Sequence, residues 1–261
     1  MSIFNNVEGF ENVSPELQLA IFIVGCLIIL VALVAIVISI VLGIMYIKYN
    51  RKNNSSNLTG EAVARRILDS NGLSHIKVSS WGSFLFGNSY SHFFKKVRLR
   101  RLTKDKTSLT SLAMGAEKSA LAIMDKEGDS DMKQRITLTP LIYFGPLAFI
   151  PLVIIGVIID IIVFNFTGLV TVIAAGIGLL FYLLSFIFSI KILKTEIKAQ
   201  ARACEILLKE NMASPAEIED MKKLFKIYNV QYVNDIILEF LQMVLKVLEI
   251  FARSQNNSAS K

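Results

Sequence analysis

The chain has 261 residues, of which 53% are hydrophobic, and a mean hydropathy of +0.54. Those values place it among membrane proteins rather than soluble domains. Two isolated cysteines, Cys26 and Cys204, exclude a disulfide framework and a cysteine-based metal site, and the formal charge of +7 gains meaning only when it is located along the chain.

Residues 1–18 hold no Lys or Arg and three acids, Glu8, Glu11 and Glu16. Residues 19–46 carry no charge at all. That run is long enough to cross a ~30 Å hydrocarbon core with tilt to spare. It is too long for a signal-peptide core and no basic region precedes it, so a retained anchor helix is expected. Residues 51–57, RKNNSSN, read as a polar linker.

LTGEAVARRILDSNGL (58–73) predicts a capped helix. Thr59 is placed to cap it, Glu61 suits the positive end of the helix dipole, and Asn71-Gly72 supplies a left-handed stop. Residues 75–78 predict a short strand. Residues 96–102 alternate, with Val97 and Leu99 on one face and Arg98 and Arg100 on the other, which predicts a half-buried strand. Thr107 or Ser108 can cap a further helix, whose apolar face is Leu109, Leu112, Ala113, Ala116, Ala120, Ile123 and Met124. Glu117 and Lys118 interrupt its run of small and apolar residues. KEGDSDMK (126–133) reads as a charged loop.

Apolar runs at 141–164 and 167–190, separated by Asn165 and Phe166, predict a transmembrane hairpin. An amphipathic helix is expected over 191–211. Ser214-Pro215-Ala216-Glu217 is a capping box with proline at the first helical position, opening a second helix. In a third helix, Gln231, Asp235, Glu239, Gln242, Lys246, Glu249 and Arg253 form one narrow polar stripe. That stripe fits packing or an interfacial position better than a span, because three acids at membrane depth are costly. Asp160, about one turn from the end of its apolar run, reads as interfacial rather than as part of an ion pathway.

Residues 47–140 hold 17 basic and 8 acidic residues, and residues 191–261 hold 11 and 9. Cytoplasmic loops concentrate Lys and Arg, so the expected topology is N-terminus outside, 47–140 cytoplasmic, a hairpin out and back, and 191–261 cytoplasmic. The densest basic cluster is Lys95, Lys96, Arg98, Arg100, Arg101, Lys104 and Lys106. It reads as part of that bias on a solvated face, with attraction to anionic lipid or a partner as its functional reading. No nucleic-acid-binding motif accompanies it, and no Gly-rich phosphate loop, nucleophile elbow or internal repeat is present.

The order of these pieces is informative: an anchor, LTGEAVARRILDSNGL, a KKVRLR strand (95–100), a small-residue helix, an apolar hairpin and TEIKAQARACEILL (195–208). From about Asn57 onwards the chain resembles the bacterial membrane-associated neutral zinc metallopeptidases, most specifically in GEAVARRILDSNGL (60–73). The resemblance implies a His-Glu-x-x-His motif on the small-residue helix. There two histidines at i and i+4 bind zinc and the glutamate is the general base on metal-bound water. A glutamate on the helix after the hairpin is implied as third ligand. Laid onto this chain, the motif falls on Ala116-Glu117-Lys118-Ser119-Ala120. Both ligand positions are alanine, Glu117 matches the base, and Glu196 matches the later glutamate. The family's Asp-rich loop is replaced by NSYSHFFK (88–95).

Alanine has no lone pair to donate, and carboxylates alone do not make a two-His, one-carboxylate site. The expectation is therefore no zinc, no other cofactor and no peptidase activity. Glu117 would be either a solvated helix residue beside Lys118 or a retained polar contact with the helix of Glu196. The expected fold is a mainly α integral membrane protein: an anchor helix (19–46), a small cytoplasmic α/β metallopeptidase-like part (47–140), a transmembrane hairpin (141–164, 167–190) and C-terminal helices (191–261). The expected role is binding, scaffolding or regulation at the cell membrane, with lipid, another membrane protein or an active relative as partner and no nucleic acid. Two alternatives stay open. One is an active membrane zinc peptidase using replacement ligands from His75, His92, Glu117 and Glu196; the other is a membrane-structural, anionic-lipid-binding protein.

Overall fold

The computed structural model describes residues 12–163 and 168–259. The expected outer segment before Asn12 and the hairpin turn at Asn165-Phe166 lie outside the described residues. The chain is mainly helical, with one small sheet. In order it forms α1 (Pro15–Arg51), α2 (Gly60–Ser70), β1 (Lys77–Ser79), α3 (Ser83–Phe86), β2 (Ser89–Ser91), β3 (Lys96–Arg98), α4 (Arg101–Asp105), α5 (Leu109–Lys126), α6 (Ser130–Val163), α7 (Leu169–Lys209) and α8 (Pro215–Ala259).

The local signals act as expected. Thr59 Oγ1 accepts from the Ala62 N–H at 3.1 Å, and of the two candidate caps for α5 it is Ser108 that accepts from Ser111 N–H. Gly72, at φ +66°, ends α2, and Leu73 N–H donates back to the Leu68 carbonyl at 2.8 Å. The capping box of α8 closes in both directions: Ser214 N–H donates to Glu217 Oε2 at 2.8 Å, and Glu217 N–H donates to Ser214 Oγ at 3.3 Å.

Three expectations are corrected. The strand over 96–102 is only β3, three residues long. Its parallel partner β1 ends at Ser79, and the Arg100 N–H donates to Asn88 Oδ1 at 2.7 Å, which turns the chain into α4. The amphipathic stretch 191–211 is not a separate helix but the continuation of α7. The second and third helices of the C-terminal part are likewise one, α8. Neither stretch contains a Gly or Pro after Gly178 or after Pro215 respectively, so nothing breaks the hydrogen-bond ladder.

The chain divides into two compact units. The first comprises Met1–Val37, Leu141–Ser189 and Tyr232–Lys261. Its segments of α1 and α7 belong to helices long and apolar enough to cross a membrane, and the described apolar run of α6 is Ala148–Val163. Within it Asp160 is 3% exposed. Its carboxylate accepts from the N–H groups of Val170 and Thr171 at 3.1 and 2.7 Å, and from Thr171 Oγ1 at 2.6 Å. The acid therefore caps the first turn of α7, whose N–H groups have no intrahelical acceptor. The C-terminal half of α8 packs here with both kinds of residue: Phe240 meets Phe186 at 4.7 Å between ring centroids, and Lys246 of the polar stripe lies over the Tyr182 ring at 5.3 Å.

The second unit comprises Ile38–Pro140 and Ile190–Gln231. Its core is built on α5, in which every residue from Leu109 to Met124 is buried. Helix α2 crosses α5 where two glycines meet. A Cβ on Gly115 would stand 2.6 Å from the Gly60 carbonyl oxygen, and one on Gly60 would stand 2.2 Å from that of Thr103. The small residues around the opening of α5 are thus a packing requirement of close backbone approach. The sheet has order β1-β3-β2, with β1 parallel and β2 antiparallel to β3. Val97 and Leu99 face the core and are fully buried. The loop expected over 126–133 is shorter, since Lys126 closes α5 and Asp131 stands in the first turn of α6; a row on α7, Lys194, Lys198 and Arg202 at helical spacing of four, pairs with Asp131, Asp129 and Glu127.

Candidate functional site

Because α5 is buried on all sides, Glu117 and Lys118 cannot turn to solvent. Glu117 is 3% exposed and Lys118 8%. This overturns the solvated reading of Glu117. Buried charges need partners, and four elements of the second unit supply them.

The Lys118 ammonium lies 3.0 Å from Glu117 Oε2 and 3.0 Å from Glu196 Oε2, on α7. Arg135, on α6, binds the other oxygen of Glu196. One turn along α7 from Glu196, Gln200 Nε2 donates to Glu117 Oε1 at 3.0 Å. Gln200 and Asn229, on α8, then donate to each other's side-chain oxygens at 3.1 and 2.8 Å. The result is a polar network of two carboxylates, two cations and two amides inside an apolar core.

Burial pushes the Glu117 carboxyl above its ordinary value, and the Glu196 charge adds to that, against Lys118 and Gln200. Burial also acts to raise Glu196, but Arg135 and Lys118 outweigh it and hold that carboxyl at about 2. Burial acts to lower Lys118, but the two carboxylates outweigh it and keep the ammonium protonated beyond its ordinary range. The centre of the cluster is a fixed positive charge between two carboxylates.

The two residues singled out as base and late ligand, Glu117 and Glu196, are thus brought together. Ala116 and Ala120, on the same helix, are fully buried and offer only methyl groups. The replacement histidines do not join them. His75 is exposed in the loop before β1. His92 Nδ1 lies 2.7 Å from Asp125 Oδ2, an oxygen that also accepts from the Tyr90 hydroxyl at 2.6 Å. Among the described residues no three His, Cys, Asp or Glu side chains gather as a metal-ligand group. As a donor set these residues do not fit zinc: Ala116 and Ala120 have no lone pair to offer, and the two carboxylates already share an ammonium.

The basic cluster is less uniform than its sequence suggests. Arg98 is buried, and Lys104 is half-buried and paired with Glu61 at 3.1 Å, whereas Lys95, Arg100, Arg101 and Lys106 are exposed. Sequence reasoning missed the inward turn of Lys118 and the roles of Arg135, Gln200 and Asn229. The available signal was the spacing of four between Glu196 and Gln200, which puts both on one face of α7.

A family model described as putative neutral zinc metallopeptidase matches residues 24–251, a span that includes the whole cluster. No curated protein and no solved structure matches the chain.

Proposed function

The chain belongs to the neutral zinc metallopeptidase family, and from that premise we propose a pseudopeptidase: a multi-pass membrane protein that keeps the family's scaffold without its metal or its chemistry. The observation that supports this reading is the Lys118 ammonium at 3.0 Å from both Glu117 and Glu196. These are the two carboxylates that the resemblance makes general base and third ligand. A zinc ion would have to displace a cation they already share, with no imidazole at 116 or 120 to compensate. Without a metal, water keeps a pKa near 15.7 and Glu117 has no acidic proton to abstract.

The lysine supplies in a covalent form what the ion would otherwise supply, a positive charge that lets two carboxylates share a buried cleft. The scaffold can then persist for binding. Its role is binding, scaffolding or regulation at the cytoplasmic face of a cell membrane, with the N-terminus outside and residues 47–140 inside. Its partners are lipid and a second membrane protein, an active relative among the candidates. The peptidase alternative has no support from the histidines, since His92 is engaged by Asp125 and His75 lies in an exposed loop.

The test is metal content by mass spectrometry on detergent-purified full-length protein. The parent is expected to carry no zinc. Ala116→His with Ala120→His alone is expected to gain little, because Lys118 remains; adding Lys118→Ala to that pair is expected to give stoichiometric zinc. Stoichiometric zinc in the parent overturns the proposal.

A further inference from the structure

We infer that the sheet lobe of the second unit, residues 77–100, docks on an anionic lipid bilayer through an aromatic and basic face. The inference rests on the membrane placement proposed above and not on the loss of zinc.

Between Asp69 and Asp105 there is no acid, while Lys77, Lys95, Lys96, Arg98, Arg100, Arg101 and Lys104 all fall there. Those seven charges equal the net charge of the whole chain, so the remainder of the molecule is balanced. Strand pairing sets the basic residues on one side. Lys77 is opposite Lys96 in β3, while Val78, Val97 and Tyr90 share the alternate side. Since Val97 is fully buried, the alternate side at Lys77 and Lys96 faces away from the core, while Arg98, next on that side, is covered.

Large apolar side chains are exposed in the same lobe. Trp81 is 75% exposed, Phe84 94%, Leu85 77%, Phe93 71% and Phe94 70%. The Lys96 ammonium lies 5.1 Å from the centre of the Trp81 ring, and the Arg98 guanidinium 5.5 Å from that of Phe94. A cation and a ring thus meet at the surface at Lys96 and Trp81, while Phe94 is held by the buried Arg98. Among the described residues nothing in the second unit covers Phe84 or Leu85, and their water-exposed area is unfavourable unless something else does.

The chemistry selects the occupant. Trp and Phe with Lys and Arg is the composition of a membrane interface, where rings enter the headgroup level and cations meet anionic lipid. Asp125 offsets Lys95 and Glu61 offsets Lys104, and the basic excess left at Lys77, Lys96 and Arg100 suits a dense negative potential better than the mixed surface of a typical protein does. An almost fully exposed Phe84 beside Leu85 suits hydrocarbon better than a polar nucleic acid. The unit is covalently joined to apolar helices on either side, so its search for a bilayer is local.

The chain has one tryptophan, Trp81, so intrinsic fluorescence reads this lobe alone. The full-length protein is reconstituted into phosphatidylcholine vesicles with or without phosphatidylglycerol. Part of the lipid is brominated near the headgroup. Expected results are a blue shift and quenching of Trp81 in the anionic vesicles, reduced in neutral vesicles and reversed as salt rises. Lys77→Gln and Arg100→Gln are each expected to lower the docked-to-undocked ratio roughly fivefold. Phe84→Ser with Leu85→Ser, whose side chains lie outside the core, is expected to abolish quenching while the circular dichroism spectrum is kept. Emission that stays water-exposed and unquenched in anionic vesicles overturns the inference, as does quenching indifferent to lipid charge. Added RNA or a soluble protein fraction that shifts Trp81 where vesicles do not would overturn it equally. Zinc content of the same preparations separates this outcome from failure of the pseudopeptidase reading, since quenching needs no metal in either case.

Discussion

At the scale of single residues, Lys118 is what makes two buried carboxylates tolerable. Lys118→Met leaves Glu117 and Glu196 facing each other without a shared cation, and breaking a buried pair in this way costs about 3–5 kcal/mol. Thermal unfolding in detergent should show a large fall in midpoint. Glu117→Gln should do the opposite or nothing at neutral pH, because Gln200 still has an oxygen to donate to. A carboxyl held above 4.5 in the folded state keeps its proton longer there than in the unfolded chain. Stability therefore falls as pH rises from 4.5 through the raised value and is level above it. Glu117→Gln should remove that decline. Glu196 has the reverse sign: held at about 2, it contributes stability that is lost as pH falls from 4.5 towards 2. The double variant Lys118→Met, Glu117→Gln should recover part of the single loss. Changes all within ~0.5 kcal/mol, as for surface residues, would mean that the cluster is not buried.

At the scale of elements, a close backbone approach defines the crossing of α2 and α5. A mid-helix Gly to Ala change ordinarily gains up to ~1 kcal/mol of helix propensity. At Gly115 the added methyl would meet a backbone oxygen at 2.6 Å, which has no rotamer by which to move aside. Gly115→Ala should therefore destabilise by about 1–3 kcal/mol, as overpacking does, while Gly43→Ala, with open space around it, should not. A neutral Gly115→Ala in chemical unfolding would show that the crossing is looser. This contact also marks the limit of what the sequence made legible. Caps could be read at Thr59, Ser108, Ser214 and Glu217, because each is decided within three residues. The resemblance picked out Glu117 and Glu196 as a pair by motif. The inward turn of Lys118 could not be read, because lysine is almost never fully buried unless paired and its pair lies 78 residues away. The fusion of expected helices into α7 and α8 was equally hidden, since a change from an apolar to an amphipathic pattern marks a change of surroundings and not a break in the backbone.

At the scale of the whole molecule, the basic excess lies in one stretch of the chain and the apolar runs carry neither Lys nor Arg, and the two together should fix orientation. The excess of Lys and Arg lies in 47–140, between the first and second apolar runs, whereas residues 1–18 have none. Moving that loop across the membrane against the positive-inside bias is unfavourable, and the helices on either side of it have no competing charge to reverse the choice. Removing Cys26 and Cys204 and placing a single cysteine at the exposed positions Glu16 or Lys106 gives a direct measurement with a membrane-impermeant maleimide. In intact cells Glu16→Cys should label and Lys106→Cys should not, and in inside-out vesicles the pattern should reverse. Labelling of Lys106→Cys from outside would put the basic lobe on the wrong side for cytoplasmic anionic lipid and would remove the surface on which its docking depends. Labelling of both from one side would mean that α1 does not cross, and the charge asymmetry would then need an explanation other than topology.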